Sequence, residues 1–273
     1  MPKSELHKYL QDRSRLLQAV CLLGPAGRSD ERKAKKLGEI AGFCELILTY
    51  VDRFLARRPA VSVVEFSCGK SYLGVVLCVL LRDLAGKQAQ LVGVDWNPAL
   101  IETCRRVAEA AGVKDARFVA SRTREFRADE PFDLAVALHA CDTATDEAIA
   151  KGIELGVPLI LTVPCCQNQI RGQIETGHPL VAMTEFGPIR YRLANMLTDV
   201  LRAQFLRSAG YVVEMQEIVS PRLTPKNLCI CARMPRRRPK AGRDEGYRAL
   251  KAFFGVRPAL ERLCPNVVPE REN

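Results

Sequence analysis

Four short segments gather the residue types that do chemistry: Glu65-Phe66-Ser67-Cys68-Gly69-Lys70, Asp95-Trp96-Asn97, His139-Ala140-Cys141-Asp142 and Pro164-Cys165-Cys166-Gln167. An acid at 65, a turn of small residues and a second acid 30 residues later suit a nucleoside ligand. An acid at a strand end can hold both ribose hydroxyls, and small turn residues let the backbone come close. Only Gly69 of a G-x-G-x-x-G pattern is present, so a dinucleotide pyrophosphate finds no cradle. A nucleoside without pyrophosphate fits better. The plainer alternative is a glycine turn beside a solvent-facing Asp95. Cys165 and Cys166 are neighbours that cannot easily bridge each other, and a strand would send them to opposite faces. His139 offers a base, or simply a polar residue at a helix start that Asp142 or Thr143 would cap.

The elements that must position these residues are legible from periodicity. Residues 60–66, 89–97, 116–121, 132–140 and 158–163 read as strands, with helices at 71–86, 98–112 and 142–156 between them. Residues 31–57 carry helical spacing after a loop whose Ser29 or Asp30 caps it, and 4–20 form a further short helix. A helix over 192–208 precedes strands at 211–219 and 227–234, joined without a helix and so expected as an antiparallel hairpin. Strands alternating with helices predict a mostly parallel sheet covered on both faces. Ligands bind such a sheet beyond the carboxyl ends of its strands, where all four segments fall. The expected organisation is a helical extension over 1–58, a Rossmann-like domain over 59–234, and a basic linker with a helical tail over 235–273 that packs back on the core.

Hydrophobic residues make up 48% of the 273, enough for a sizeable core. No apolar run reaches the roughly 20 residues a bilayer span needs, and the charged N-terminus has no signal-peptide core, so a cytoplasmic protein is expected. Eleven cysteines without a C-x-x-C pair read as core residues rather than a disulfide framework or a zinc site. Cys229 and Cys231 share one face of their strand. The formal charge of +10 favours a polyanionic partner such as RNA, and the run from Arg233 through Arg236, Arg237, Arg238 and Lys240 to Arg243 is its densest stretch.

The segments VVEFSCGKSYLG, GVDWN, LHACDTATDEAIAKGI and VPCCQNQI, with LTDVLRAQFLRSAGY and LTPKNLCICA, together resemble class I S-adenosylmethionine-dependent methyltransferases of the methyltransferase-like 25 type. More distantly, the chain is similar to the tRNA 2′-O-methyltransferase family. Ser71 departs from the glycine many members carry, and the N-terminal part is short. The resemblance implies a seven-stranded Rossmann-like α/β sheet and S-adenosyl-L-methionine as cofactor. It implies that Glu65 takes the methionine amino group, that Ser67, Cys68 and Gly69 form the floor, that Asp95 binds the ribose with Trp96 beside the adenine, and that Ser121 reaches the adenine edge. His139, Asp142, Cys165 and Cys166 would serve the methyl-transfer end. Transfer to oxygen or nitrogen needs only positioning and a base, whereas transfer to pyrimidine carbon 5 needs a thiolate adding at carbon 6. The two cysteines therefore line a slot for a flat acceptor, supply a nucleophile, or join His139 and Cys141 on a metal, in that order of preference. RNA is the expected substrate. The alternatives are a protein or small-molecule acceptor, a non-catalytic RNA- or protein-binding module, and, last, a nicotinamide oxidoreductase.

Overall fold

The computed structural model describes residues 3–23, 30–165, 167–174, 180–236 and 244–268. All seven strands fall where the sequence pattern placed them, and the described residues form eighteen elements. They are α1 (Lys3–Gln11), α2 (Ser14–Ala19), α3 (Glu31–Leu55), β1 (Ala60–Phe66), α4 (Tyr72–Asp83), β2 (Gln88–Asp95), α5 (Pro98–Ala110), β3 (Ala116–Ala120), β4 (Leu134–Leu138), α6 (Thr143–Glu154), β5 (Leu159–Val163), α7 (Asn168–Arg171), α8 (Val181–Thr184), α9 (Gly187–Ser208), β6 (Val212–Glu217), β7 (Leu228–Arg233), α10 (Glu245–Phe254) and α11 (Ala259–Leu263). The strand order is β3-β2-β1-β4-β5-β7-β6, the expected α/β, Rossmann-like seven-stranded sheet. β1 pairs in parallel with β2 and β4, β2 with β3, while β7 runs antiparallel to β5.

The chain forms two compact units. The first holds residues 1–138 and 217–227. Its core is the β-branched run of β1, where Val61, Val63 and Val64 are fully buried, together with α4, buried from Leu73 to Leu81. A helix apolar all round belongs inside, and α4 packs on β2, α3 and α5. Asp30 caps α3, its side chain accepting from Lys33 N at 2.8 Å. At the other end of α3, the buried Lys87 ammonium donates to the carbonyls of Leu55, Ala56 and Arg58 at 3.1, 3.0 and 2.6 Å. A cation there completes orphan carbonyls and opposes the negative end of the helix dipole. The expected single helix over 4–20 is broken into α1 and α2 around Asp12 and Arg13. Gly42 lets the 217–227 segment lie on α3, since a Cβ there would stand 2.3 Å from Ile218 O.

The second unit holds residues 139–216 and 228–273. α6 packs on β5 and α11, and α9 on β7, α7, α8 and α10. The tail is thus docked by both of its helices, with Phe205 and Tyr247 rings 5.6 Å apart edge to face. It breaks between α10 and α11 at Gly255, whose φ of +62° is the left-handed conformation that glycine tolerates at a helix end. The short helices α7 and α8 have no apolar period long enough to announce themselves in the sequence. No described helix is long and apolar enough to cross a membrane.

Candidate functional site

In the first unit, β1 pairs with strands on both sides that the chain reaches in opposite directions, which makes its carboxyl end the switch point of the sheet. The chain leaves it through Ser67, Gly69 and Ser71 at φ +50°, +56° and +51°, three left-handed residues in five positions. A left-handed non-glycine residue costs roughly 1–2 kcal/mol. At Ser71 that cost has a return: its hydroxyl donates to Glu65 Oε2 at 2.5 Å, and Gly74 N donates to the same oxygen at 3.2 Å. The departure from glycine at 71 thus carries a bond glycine could not make. Burial pushes the Glu65 carboxyl up to about 7, against the pull of those two hydrogen bonds.

Asp95, also buried, ties this turn to the end of β2. Its Oδ2 accepts from Gly69 N and its Oδ1 from Asn97 N, each at 3.0 Å. Each carboxylate oxygen keeps a further lone-pair direction for a ligand hydroxyl. A Cβ added at Gly69 would meet nothing within 4 Å, so the turn's backbone faces open space. Cys68 lies beneath it, buried, with its thiol raised by the hydrogen bond with Cys104 and then by burial, so it stays protonated. Trp96 is 71% exposed, an unusual position for the largest apolar side chain of the sequence. Ser121 is half-buried; its N donates to Asp95 O at 2.9 Å and its hydroxyl to Arg122 O at 3.0 Å. Glu65, Ser67, Cys68, Gly69, Asp95, Trp96 and Ser121 all belong to this unit.

The second unit holds the other segments. His139, at φ +59°, donates its backbone N to Val163 O at 3.0 Å, and Asp142 follows at φ +52°. Two strained residues bracket the exposed Cys141, whose Sγ lies 3.3 Å from Cys165 Sγ. Cys166 lies outside the described residues. The expected cap on α6 is not made: Asp142 stands at its start, but its Oδ1 accepts instead from Asn168 N and Gln169 N, at 2.9 and 3.0 Å. That carboxylate caps α7. It reaches across because its backbone φ and ψ, +52° and −122°, turn the side chain away from its own helix. Among the described residues no group of three metal-ligating side chains converges.

Beneath this loop runs a buried network that the sequence reading missed. Arg202, 1% exposed, makes a two-pronged pair with Asp146, Nε to Oδ1 at 2.9 Å and Nη2 to Oδ2 at 2.8 Å. Nη2 also donates to Asp142 O at 2.8 Å, and Nη1 reaches Asp199 Oδ1 at 3.3 Å. Gln167 Nε2 donates to the same Asp199 oxygen at 2.9 Å. Arg202 is held charged above its ordinary value: burial opposes the charge, and the two carboxylates outweigh it. The turn after β4 and the segment after β5 are thereby fixed to α6 and α9. A signal existed: Arg202 falls at helical spacing from the apolar Phe205 and Leu206 on α9, and a charge on a buried face demands a partner. On the other side, Gln169 Nε2 donates to Arg257 O and Arg257 N to Gln173 Oε1, both at 2.8 Å, so the tail steadies α7.

A mostly parallel seven-stranded sheet in this strand order, with β7 antiparallel and acids at the ends of β1 and β2, defines a Rossmann-like fold of the methyltransferase kind. A family model described as a methyltransferase domain matches residues 35–173, half of the chain, and the protein belongs to that family. Among curated proteins it is similar to the glutathione S-transferase C-terminal domain-containing proteins. The mouse protein is 24% identical over 151 residues, 55% of this chain and 22% of that one. The human protein is 23% identical over 194 residues, covering 62% and 29%. The chain therefore spans well under half the length of the curated relatives it matches. Among solved structures, a magnesium protoporphyrin IX methyltransferase from Synechocystis PCC 6803 with bound SAH aligns at a TM-score of 0.49 and 12% identity, over 84% of this chain and 100% of that one.

Proposed function

We propose that this protein transfers a methyl group from S-adenosyl-L-methionine to an RNA in the cytoplasm. The observation that carries the cofactor is the first unit's turn: open backbone at Gly69, a buried Asp95 with acceptor capacity left, and a largely exposed indole at Trp96. These groups fit a nucleoside joined to an amino acid. Asp95 would accept from the ribose hydroxyls, and Trp96 would cover the adenine face. Glu65 would face the amino group, where a cation relieves the burial that now holds back its ionisation. When bound, the cofactor supplies an electrophilic methyl on sulfur.

The chain's own residues would then hold the acceptor and take its proton. His139 is assigned as that base; its strained backbone is the kind of geometry kept where function requires it. Asp142 would position the loop rather than accept the proton, since Oδ1 already serves two amides. Cys165 is read as a wall of the acceptor slot. The RNA reading is supported by the +10 charge and by the start of α9, where Phe186 is 64% exposed and Arg190 and Arg192 follow. Arg171 also lies over the Tyr191 ring at 5.9 Å. Aromatic rings interleaved with arginines stack bases and hold phosphates. Of the basic run, Arg233 and Arg236 are described; Arg237, Arg238, Lys240 and Arg243 lie outside the described residues.

Calorimetry with S-adenosylmethionine and mass spectrometry of RNA nucleosides from deletion and parent cells test this together. A bound cofactor and a missing methylated nucleoside are expected. Cofactor binding with an unchanged nucleoside profile points to a protein or small-molecule acceptor. No cofactor binding turns the reading towards a binding module.

A further inference from the structure

We propose that Cys141 and Cys165 are a redox-active pair that closes to a reversible disulfide when a peroxide reaches the loop. Both belong to the second unit, and neither is disulfide-bonded. Their sulfurs are 3.3 Å apart, so closing to a bond of about 2.05 Å needs an approach of roughly 1.3 Å. Side-chain rotation supplies that where the two backbones are already tied together, as two sets of hydrogen bonds tie them here. His139 N on Val163 O fastens the turn to the strand before Cys165, and Asp142 Oδ1 on Asn168 N and Gln169 N fastens it again just after. The thiol pair sits between these two ties.

The chemistry follows exposure. Cys141 is exposed and meets the oxidant first; Cys165 is half-buried. The Cys141 thiolate attacks hydrogen peroxide, the O–O bond breaks, and Cys141 becomes a sulfenic acid with release of hydroxide. The Cys165 thiol then attacks the Cys141 sulfur, the S–O bond breaks, and water leaves. Two thiols are oxidised by two electrons, and one peroxide becomes two waters. A dithiol such as reduced thioredoxin reverses the step by exchange. The bond would fasten His139 and Cys165 in one arrangement and take the acceptor slot out of use. That consequence rests on the function proposed above; the disulfide itself does not.

The full-length chain is treated with one equivalent of hydrogen peroxide, alkylated, digested and mapped by mass spectrometry, with fragmentation between residues 165 and 166 to separate the adjacent thiols. A Cys141–Cys165 linked peptide, lost on dithiothreitol treatment, is expected in the wild type and in Cys166→Ser. It should be absent from Cys165→Ser, where one equivalent of peroxide leaves Cys141 as a sulfenic acid that dimedone traps. No linked peptide in the wild type, or a Cys141 link that persists in Cys165→Ser, overturns the proposal, and the wild-type map alone suffices if a variant does not fold. In the same samples, oxidation should lower methyl transfer at least tenfold while leaving S-adenosylmethionine binding within twofold. Oxidised protein that keeps full transfer refutes the control. Failure of both oxidised and reduced protein to bind the cofactor refutes the function while the mapped disulfide stands.

Discussion

Glu65 is the residue whose environment makes the sharpest demand. Its ordinary value of 4.5 rises to about 7 in the folded chain because burial outweighs the bonds from Ser71 and Gly74. Folding therefore takes up a proton between those values. The contribution of Glu65 to stability falls as pH rises from about 4.5 to about 7, then levels off. At about 1.4 kcal/mol per unit the full swing is about 3 kcal/mol. Urea unfolding at pH 5 and pH 8 should show Glu65→Gln gaining on the wild type by an amount of that order; parallel pH profiles would contradict it. Gly74 is constrained by the same carboxylate. A Cβ there would lie 2.5 Å from Glu65 Oε2, 2.8 Å from Ser71 Oγ and 2.9 Å from Leu91 Cδ2. Gly74→Ala should therefore cost about 1–3 kcal/mol in denaturant unfolding despite alanine's better helix propensity.

Among the elements, α6, α7 and α9 are joined by buried polar groups. Arg202→Ala would leave Asp146 and Asp199 facing each other in the interior, and breaking a buried pair costs about 3–5 kcal/mol. Arg202→Lys should recover little of it, because an ammonium cannot reproduce the two-pronged contact with Asp146. Chemical denaturation of both variants measures this, and a near-wild-type lysine variant would contradict it. Asp142 holds α7, which at four residues cannot sustain itself. Asp142→Ala should raise amide exchange at Asn168 and Gln169, and Asp142→Asn, which keeps the acceptor, should restore protection. If instead the first amides of α6 lose protection, the side chain caps its own helix after all.

For the molecule as a whole, a ligand that binds only the folded state stabilises it by about 2.7 kcal/mol at a hundred times its Kd. S-adenosylmethionine should raise the melting temperature with concentration, and no shift at millimolar levels would count against the cofactor. RNA affinity should fall steeply between 50 and 200 mM salt, while Phe186→Ala should weaken binding with little change in the salt slope, as stacking loss requires. The order of strands and helices was legible in the sequence because burial imposes a period on each segment: β-branched runs such as Ala60–Phe66 and the helical spacing of Glu31–Leu55 mark elements that must hide one face or all of it. The acids at 65 and 95 were legible too, since a charge at the end of an apolar run has little structural reason to be there. What the sequence could not give was which partner each polar group takes. Asp142 was expected on its own helix and bonds another; Arg202, Asp146, Asp199 and Gln167 come from three segments; Cys141 and Cys165 are 24 residues apart and meet sulfur to sulfur. Periodicity is a property of each element alone, whereas a hydrogen bond needs two groups within about 3 Å, and only the folded chain fixes that distance.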